Sequence, residues 1–282
     1  MTVREGIVDS DGTAIHYLDW GGGGPPLILI HATGFLAALW RPIAERLASR
    51  FRVVAVDQRG HGDSAPSPDG YSFEGFADDL QRLIEALELE GALAVGHSSG
   101  GTTIVVHAAQ HPGVLRRVVL IEPILPRPEW FQRPPGGRAA GDMAEAARKR
   151  RGVWPSREEL FNSYHARPPF ESWREDVLRL YVEEGTRERE DGQVELKCRP
   201  EIEAQFFDAV RDVAPWPMLP EMTCPSLLLW GAESHLLQFG MDQHVEEAIP
   251  HARTVLVSDT THFLPQERPD EVARLIEEFL SD

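Results

Sequence analysis

The sequence predicts an α/β protein: a mostly parallel eight-stranded sheet with helices on both faces, interrupted after the sixth strand by a helical cap. Three observations predict it. Short continuous apolar runs recur, such as Leu27-Ile28-Leu29-Ile30 and Val118-Val119-Leu120-Ile121, as expected of strands buried on both faces. Segments with apolar residues at helical spacing alternate with those runs, which implies parallel strands joined by crossover helices. The rhythm stops after Glu122 and returns at Ser226, so a segment of different character is inserted there.

The elements follow in order. Val3 to Val8 and Thr13 to Trp20 read as two strands around the turn cluster Asp9-Ser10-Asp11-Gly12. Pro26 to Ile30 is a buried strand, Leu39 to Ser49 a helix, and Arg52 to Asp57 a second buried strand. Phe73, Phe76, Ala77, Leu80, Leu83, Ile84 and Leu87 fall at helical spacing. Leu93 to Gly96 is a short strand, Thr102 to His111 a helix ending before Pro112, and Arg117 to Ile121 the next strand. The returning rhythm gives a strand at Ser226 to Trp230, a helix around Asp242 to Ala248, a strand at Arg253 to Val257 and a last helix at Asp270 to Leu280. The organisation is a core of residues 1–122 and 221–282 with a cap of residues 123–220. The basic run Arg148-Lys149-Arg150-Arg151 in that cap reads as a solvated helix end.

Composition narrows the function. A chain of 282 residues, 42% hydrophobic and 26% charged, can bury a core without disulfides or metals. Its 45 acidic against 28 basic side chains give a net charge of −17. That argues against nucleic acid or an anionic membrane as partner and mildly disfavours a strongly anionic substrate, although one local Arg cluster could override the net field. Two cysteines, Cys198 and Cys224, form no framework, and a reduced compartment is the natural reading. The first residues lack an apolar signal core, and no apolar run reaches the ~18–20 residues that span a bilayer. A cytoplasmic protein is expected.

Gly96-His97-Ser98-Ser99-Gly100 is a Gly-x-Ser-x-Gly sequence between a strand and a helix. A chain turning sharply there exposes the Ser hydroxyl, and neighbouring side chains would collide. The following helix points backbone N–H groups at developing negative charge, so the Ser99 N–H is placed to be half of an oxyanion hole. A Ser hydroxyl needs a base. Of eleven histidines, His262 follows the last strand and precedes the last helix, where a loop can carry an imidazole over the strand ends.

These features resemble the α/β-hydrolase superfamily over nearly the whole chain. His31-Ala32-Thr33-Gly34 follows the third strand, and Asp57-Gln58-Arg59-Gly60-His61-Gly62-Asp63-Ser64 is similar to a segment of many members. The resemblance implies Thr33 N–H as the second oxyanion donor, with His31 and Asp57 bracing loops. It also implies a cap, whose aromatics Trp130, Trp154 and Phe206 are candidates for the pocket wall. The family's usual acid position is held by Ser234 in Gly231-Ala232-Glu233-Ser234. Two carboxylates are alternatives: Glu122, which ends the sixth strand, and Glu233. Glu122 is favoured on placement, because a carboxylate ending a buried strand needs a partner. The expected reaction is hydrolysis of an uncharged small-molecule ester or lactone through an acyl-enzyme, with no metal or organic cofactor, by a monomer or homodimer. Amide or carbon–carbon hydrolysis, a perhydrolase activity and a receptor with little turnover are the alternatives.

Overall fold

A computed structural model describes residues 2–127 and 141–281. Eight strands form one sheet: β1 (Arg4–Ser10), β2 (Thr13–Gly21), β3 (Pro26–Ile30), β4 (Arg52–Val56), β5 (Leu93–His97), β6 (Arg117–Ile121), and, after the cap, the strands Ser226–Gly231 and Ala252–Val257. β1 and β2 pair antiparallel through the turn at Asp11-Gly12, and β2 runs antiparallel to β4. From β4 onward every neighbouring pair is parallel, in the order β4, β3, β5, β6 and then the two late strands. Strands β3 to β6, apolar except at the end positions Arg52, His97 and Arg117, lie at the centre, as continuous hydrophobic runs require.

Helices cover both faces. α1 (Arg41–Leu47) and the C-terminal helix Pro269–Ser281 pack on one side with Leu27, Leu29, Val53, Val95 and Ile121. α2 (Phe73–Ala86) and α3 (Ser99–Gln110) cover the other, against Ile28, Ile30, Val54 and Ala94. The alternation of side chains between the two clusters is the period-two geometry of a strand. α2 begins where Ser72 accepts from the Gly75 N–H, an N-cap that satisfies one orphan donor.

The cap differs from the expected purely helical insertion. It holds α4 (Gly141–Arg148), α5 (Arg157–His165), α6 (Glu175–Glu184) and α7 (Pro200–Ala209), but also a small antiparallel sheet. Its strands are β7 (Val153–Trp154), β8 (Thr186–Glu188) and β9 (Val194–Leu196), with β9 in the middle. Strands of two or three residues carry no readable periodicity, so nothing along the chain marks them in advance. The late strands of the main sheet become β10 and β11. α8 (Met241–Ala248), α9 (Leu264–Glu267) and α10 (Pro269–Ser281) complete the chain. The cap is seated on the core by one apolar cluster. In it Ala32, Phe35, Leu36 and Leu39 meet Trp154, Tyr164, Trp173 and Tyr181. No helix among the described residues is long and apolar enough to cross a membrane.

Candidate active site

The site assembles at the C-terminal ends of β3, β5, β6, β10 and β11, where open α/β sheets bind ligands. β5 turns into α3 at Ser98, whose φ of 54° and ψ of −115° are strained for a residue with a side chain. The surrounding glycines make that turn sterically feasible. A Cβ on Gly96 would lie 2.4 Å from the Gly100 carbonyl oxygen, and one on Gly100 would lie 2.4 Å from that of Ile30. α3 begins at Ser99, earlier than the expected Thr102. Ser99 therefore supplies the first N–H of the helix, with no intrahelical acceptor.

His262 reaches this hydroxyl. Its Nε2 lies 3.1 Å from Ser98 Oγ, and its Nδ1 lies 3.1 Å from Glu122 Oε2. With Nδ1 protonated and donating to the carboxylate, Nε2 is free to accept the serine proton. Glu122 is fully buried at the end of β6, with φ of 48°. Two more donors reach it: the Gly231 N–H donates to Oε1 at 2.8 Å and the Ser234 hydroxyl donates to Oε2 at 2.7 Å. The side chain at the position where the family usually has its acid is thus a hydrogen-bond donor to Glu122. Glu233 is exposed, and among the described residues its carboxylate has no partner, while its N–H donates to the Thr260 carbonyl.

Two further groups hold the loop that carries His262. His97 Nε2 lies 2.9 Å from the His262 carbonyl oxygen, and Glu267 accepts from both the N–H and the hydroxyl of Thr261. Sequence reasoning had no signal for either: His97 acts across 165 residues of chain, and a Glu six residues from Thr261 looks like any other surface acid of a helix.

The Thr33 loop is braced from below. The Gln58 N–H donates to His31 Nε2 at 3.0 Å, and His31 Nδ1 donates to the Ala32 carbonyl at 2.8 Å. The Gly34 N–H donates to His61 Nε2 at 2.9 Å, so both rings must be neutral. From above, the Tyr181 hydroxyl of the cap donates to the Gly34 carbonyl at 3.0 Å. Asp57 accepts from the Ala37 and Asp63 N–H groups and pairs with His16 Nδ1 at 2.7 Å. Thr33 itself is half-buried, and among the described residues its N–H has no partner.

The pocket candidates are distributed differently from expectation. Trp130 lies outside the described residues. Trp154 is buried in the cap, donating to the Arg151 carbonyl. Phe206 is fully buried, stacked on Phe76 with its edge to His61. Both rings are used in packing. The aromatics beside His262 and His97 are Phe35 and Phe263, with Trp173 against both.

Burial holds five histidines below the ordinary value: His31, His97, His235, His61 at about 3 and His107 at about 4. The unfolded chain binds those protons near pH 6.5 and the folded chain does not. Stability is therefore full above that pH and falls as pH drops toward the folded values. His16, raised by Asp57 despite burial, works the opposite way, but it is outnumbered. Urea unfolding midpoints are expected to fall between about pH 7 and about pH 5, as the unfolding free energy drops by up to roughly 1.4 kcal/mol per pH unit for each neutral histidine. Midpoints that do not change would contradict the neutral, bracing role of these rings.

Comparison with known proteins agrees with this architecture. The model of the α/β-hydrolase fold family matches residues 25–269. The 2-(acetamidomethylene)succinate hydrolase of Mesorhizobium japonicum is 29% identical over 265 residues, covering 92% of this chain and 89% of that protein. The crystal structure of E-2-(acetamidomethylene)succinate hydrolase superposes with a TM-score of 0.85 at 25% identity, covering all of both chains. The N-formylmaleamate deformylase of Pseudomonas putida is 37% identical over 122 residues, covering 43% of this chain and 46% of that protein. With its sheet order, its strained serine turn and this match to most of its length, the chain belongs to the α/β-hydrolase fold family.

Proposed function

We propose that the protein is a serine hydrolase that cleaves a small-molecule carboxylic ester, lactone or N-acyl amide through an acyl-enzyme on Ser98. The observation that carries this reading is the hydrogen-bonded line from Ser98 Oγ through His262 to Glu122. In the proposed reaction Ser98 Oγ attacks the acyl carbon as its proton passes to His262 Nε2. The Thr33 and Ser99 N–H groups bind the oxyanion. Glu122 keeps the imidazole in the required tautomer and stabilises the imidazolium. His262 then protonates the leaving oxygen or nitrogen, and water releases the acyl group by the same steps in reverse order.

The ester and lactone classes follow from the sequence. The N-acyl amide class is favoured by the names of two relatives, which describe acetamido and N-formyl compounds. A matched pair tests the reading: 4-nitrophenyl acetate and 4-nitroacetanilide, which share an acyl group and a chromophore. Turnover of the ester is expected, and turnover of the anilide as well would assign the amide class. A folded wild type that turns over neither would count against a hydrolase of short acyl groups and favour a receptor that binds without turnover.

A further inference from the structure

The run Arg148 to Arg151 is not one solvated face. Arg148 pairs with Asp208 and Glu201, Lys149 pairs with Glu145, and Arg151 lies over the Trp154 ring. Arg150 turns inward instead. Its Nη2 lies 2.9 Å from Glu203 Oε2 and donates to the Cys198 carbonyl at 3.4 Å. The contact with Glu203 is an ion pair without hydrogen-bond alignment. Arg150 Nε, Glu203 Oε2 and the Tyr164 hydroxyl are buried with no hydrogen-bond partner among the described residues. Buried polar atoms are normally satisfied. Glu203 Oε2 has at least the ion pair with Arg150, but two neighbouring donors, one of them on a permanent cation, have no acceptor among the described residues and point to an absent ligand.

The cluster sits against the oxyanion loop. A Cβ on Gly34 would lie 2.7 Å from Glu203 Oε1, and Tyr181 donates to the Gly34 carbonyl. The field of Arg150 contributes to keeping His61 neutral, the residue that accepts from the Gly34 N–H. Gly34 adjoins Thr33. A small recess lies beside Gly34, walled by Phe35, Tyr181, Lys197 and Cys198; Arg150 is not in its wall, but Tyr181 and Cys198 are electrostatic neighbours of Arg150.

We propose that Arg150, with the Tyr164 hydroxyl beside it, binds a carboxylate of the substrate next to the oxyanion loop, and that Glu203 is its resident counter-ion when the site is empty. This rests on the serine-hydrolase reading for the reaction, but not for the binding. A guanidinium N–H and a hydroxyl match the two oxygens of a carboxylate. A dianionic phosphate would meet the nearby Glu203. Burial pushes the Glu203 carboxyl up, so it can take a proton and donate when a second carboxylate arrives. In a chain of net charge −17, such a local cation is what an anionic substrate requires.

Calorimetric titration of the full chain with succinate, and with neutral succinamide, tests the proposal without turnover. Wild type and Ser98→Ala are expected to bind succinate alike and succinamide at least tenfold more weakly. Arg150→Met is expected to lose at least tenfold in succinate affinity. The double variant Arg150→Met/Glu203→Gln removes the unpaired charge that could unfold the single one, and should show the same loss. Succinate affinity unchanged in a folded Arg150 variant, or no preference for succinate over succinamide in the wild type, would overturn it. An Arg150-dependent succinate signal alongside inert ester probes would leave this proposal standing while removing the hydrolase reading.

Discussion

Ser98→Ala lowers kcat on 4-nitrophenyl acetate by about 10⁴- to 10⁶-fold, with KM little changed. The nucleophile is the only atom removed. Ala keeps the Cβ that the turn already accommodates, and the glycines that permit the turn at Gly96 and Gly100 remain. Ser98 Oγ is hydrogen-bonded to His262 Nε2, and the base stays held by Glu122 and His97. The thermal midpoint should therefore stay within a few degrees of wild type. Turnover and thermal unfolding measured on the same preparation separate chemistry from folding. A residual rate within tenfold of wild type would exclude Ser98 as the nucleophile.

Glu122→Gln lowers kcat by about 10³- to 10⁴-fold, as loss of the orienting carboxylate does in related triads. The amide can turn its NH2 toward Nδ1, which then must accept, and Nε2 carries the proton in the wrong place. The Ser234 and Gly231 donors to the carboxylate lose an ionised acceptor in the same step. Glu122→Asp restores part of the rate, because the charge returns one methylene short of His262. A merely structural role for Glu122 would not produce that recovery in kcat. Glu233→Gln is expected to stay within about twofold of wild type, since its side chain is exposed. If Glu233→Gln loses as much as Glu122→Gln, the acid has been misassigned.

The legible parts of this molecule were those fixed by local chemistry or by order along the chain. Apolar runs located the sheet, since strands buried on both faces leave no room for polar residues. The Gly-x-Ser-x-Gly turn located Ser98, because two backbones approach too closely for any Cβ. His262 was readable from its place after the last strand, and Glu122 from ending a buried strand that must satisfy its charge. What stayed hidden depends on tertiary contact. Ser234 looked like a lost acid and is a donor to Glu122 across more than a hundred residues of chain. Arg150 looked like one of four solvated bases, and only the packing of α7 against α4 buries it with Glu203. Trp154 and Phe206 looked like pocket residues because aromatic rings suit a pocket and a core equally well.

The central claim is a covalent acyl group on Ser98, and acid-quenched mass mapping tests it most directly. Wild-type protein mixed with excess 4-nitrophenyl acetate and quenched during turnover should carry one acetyl group, located on the peptide that contains Ser98 and absent from Ser98→Ala. Turnover with no acetylated peptide, or acetylation that persists in Ser98→Ala at another residue on the turnover timescale, would contradict the account.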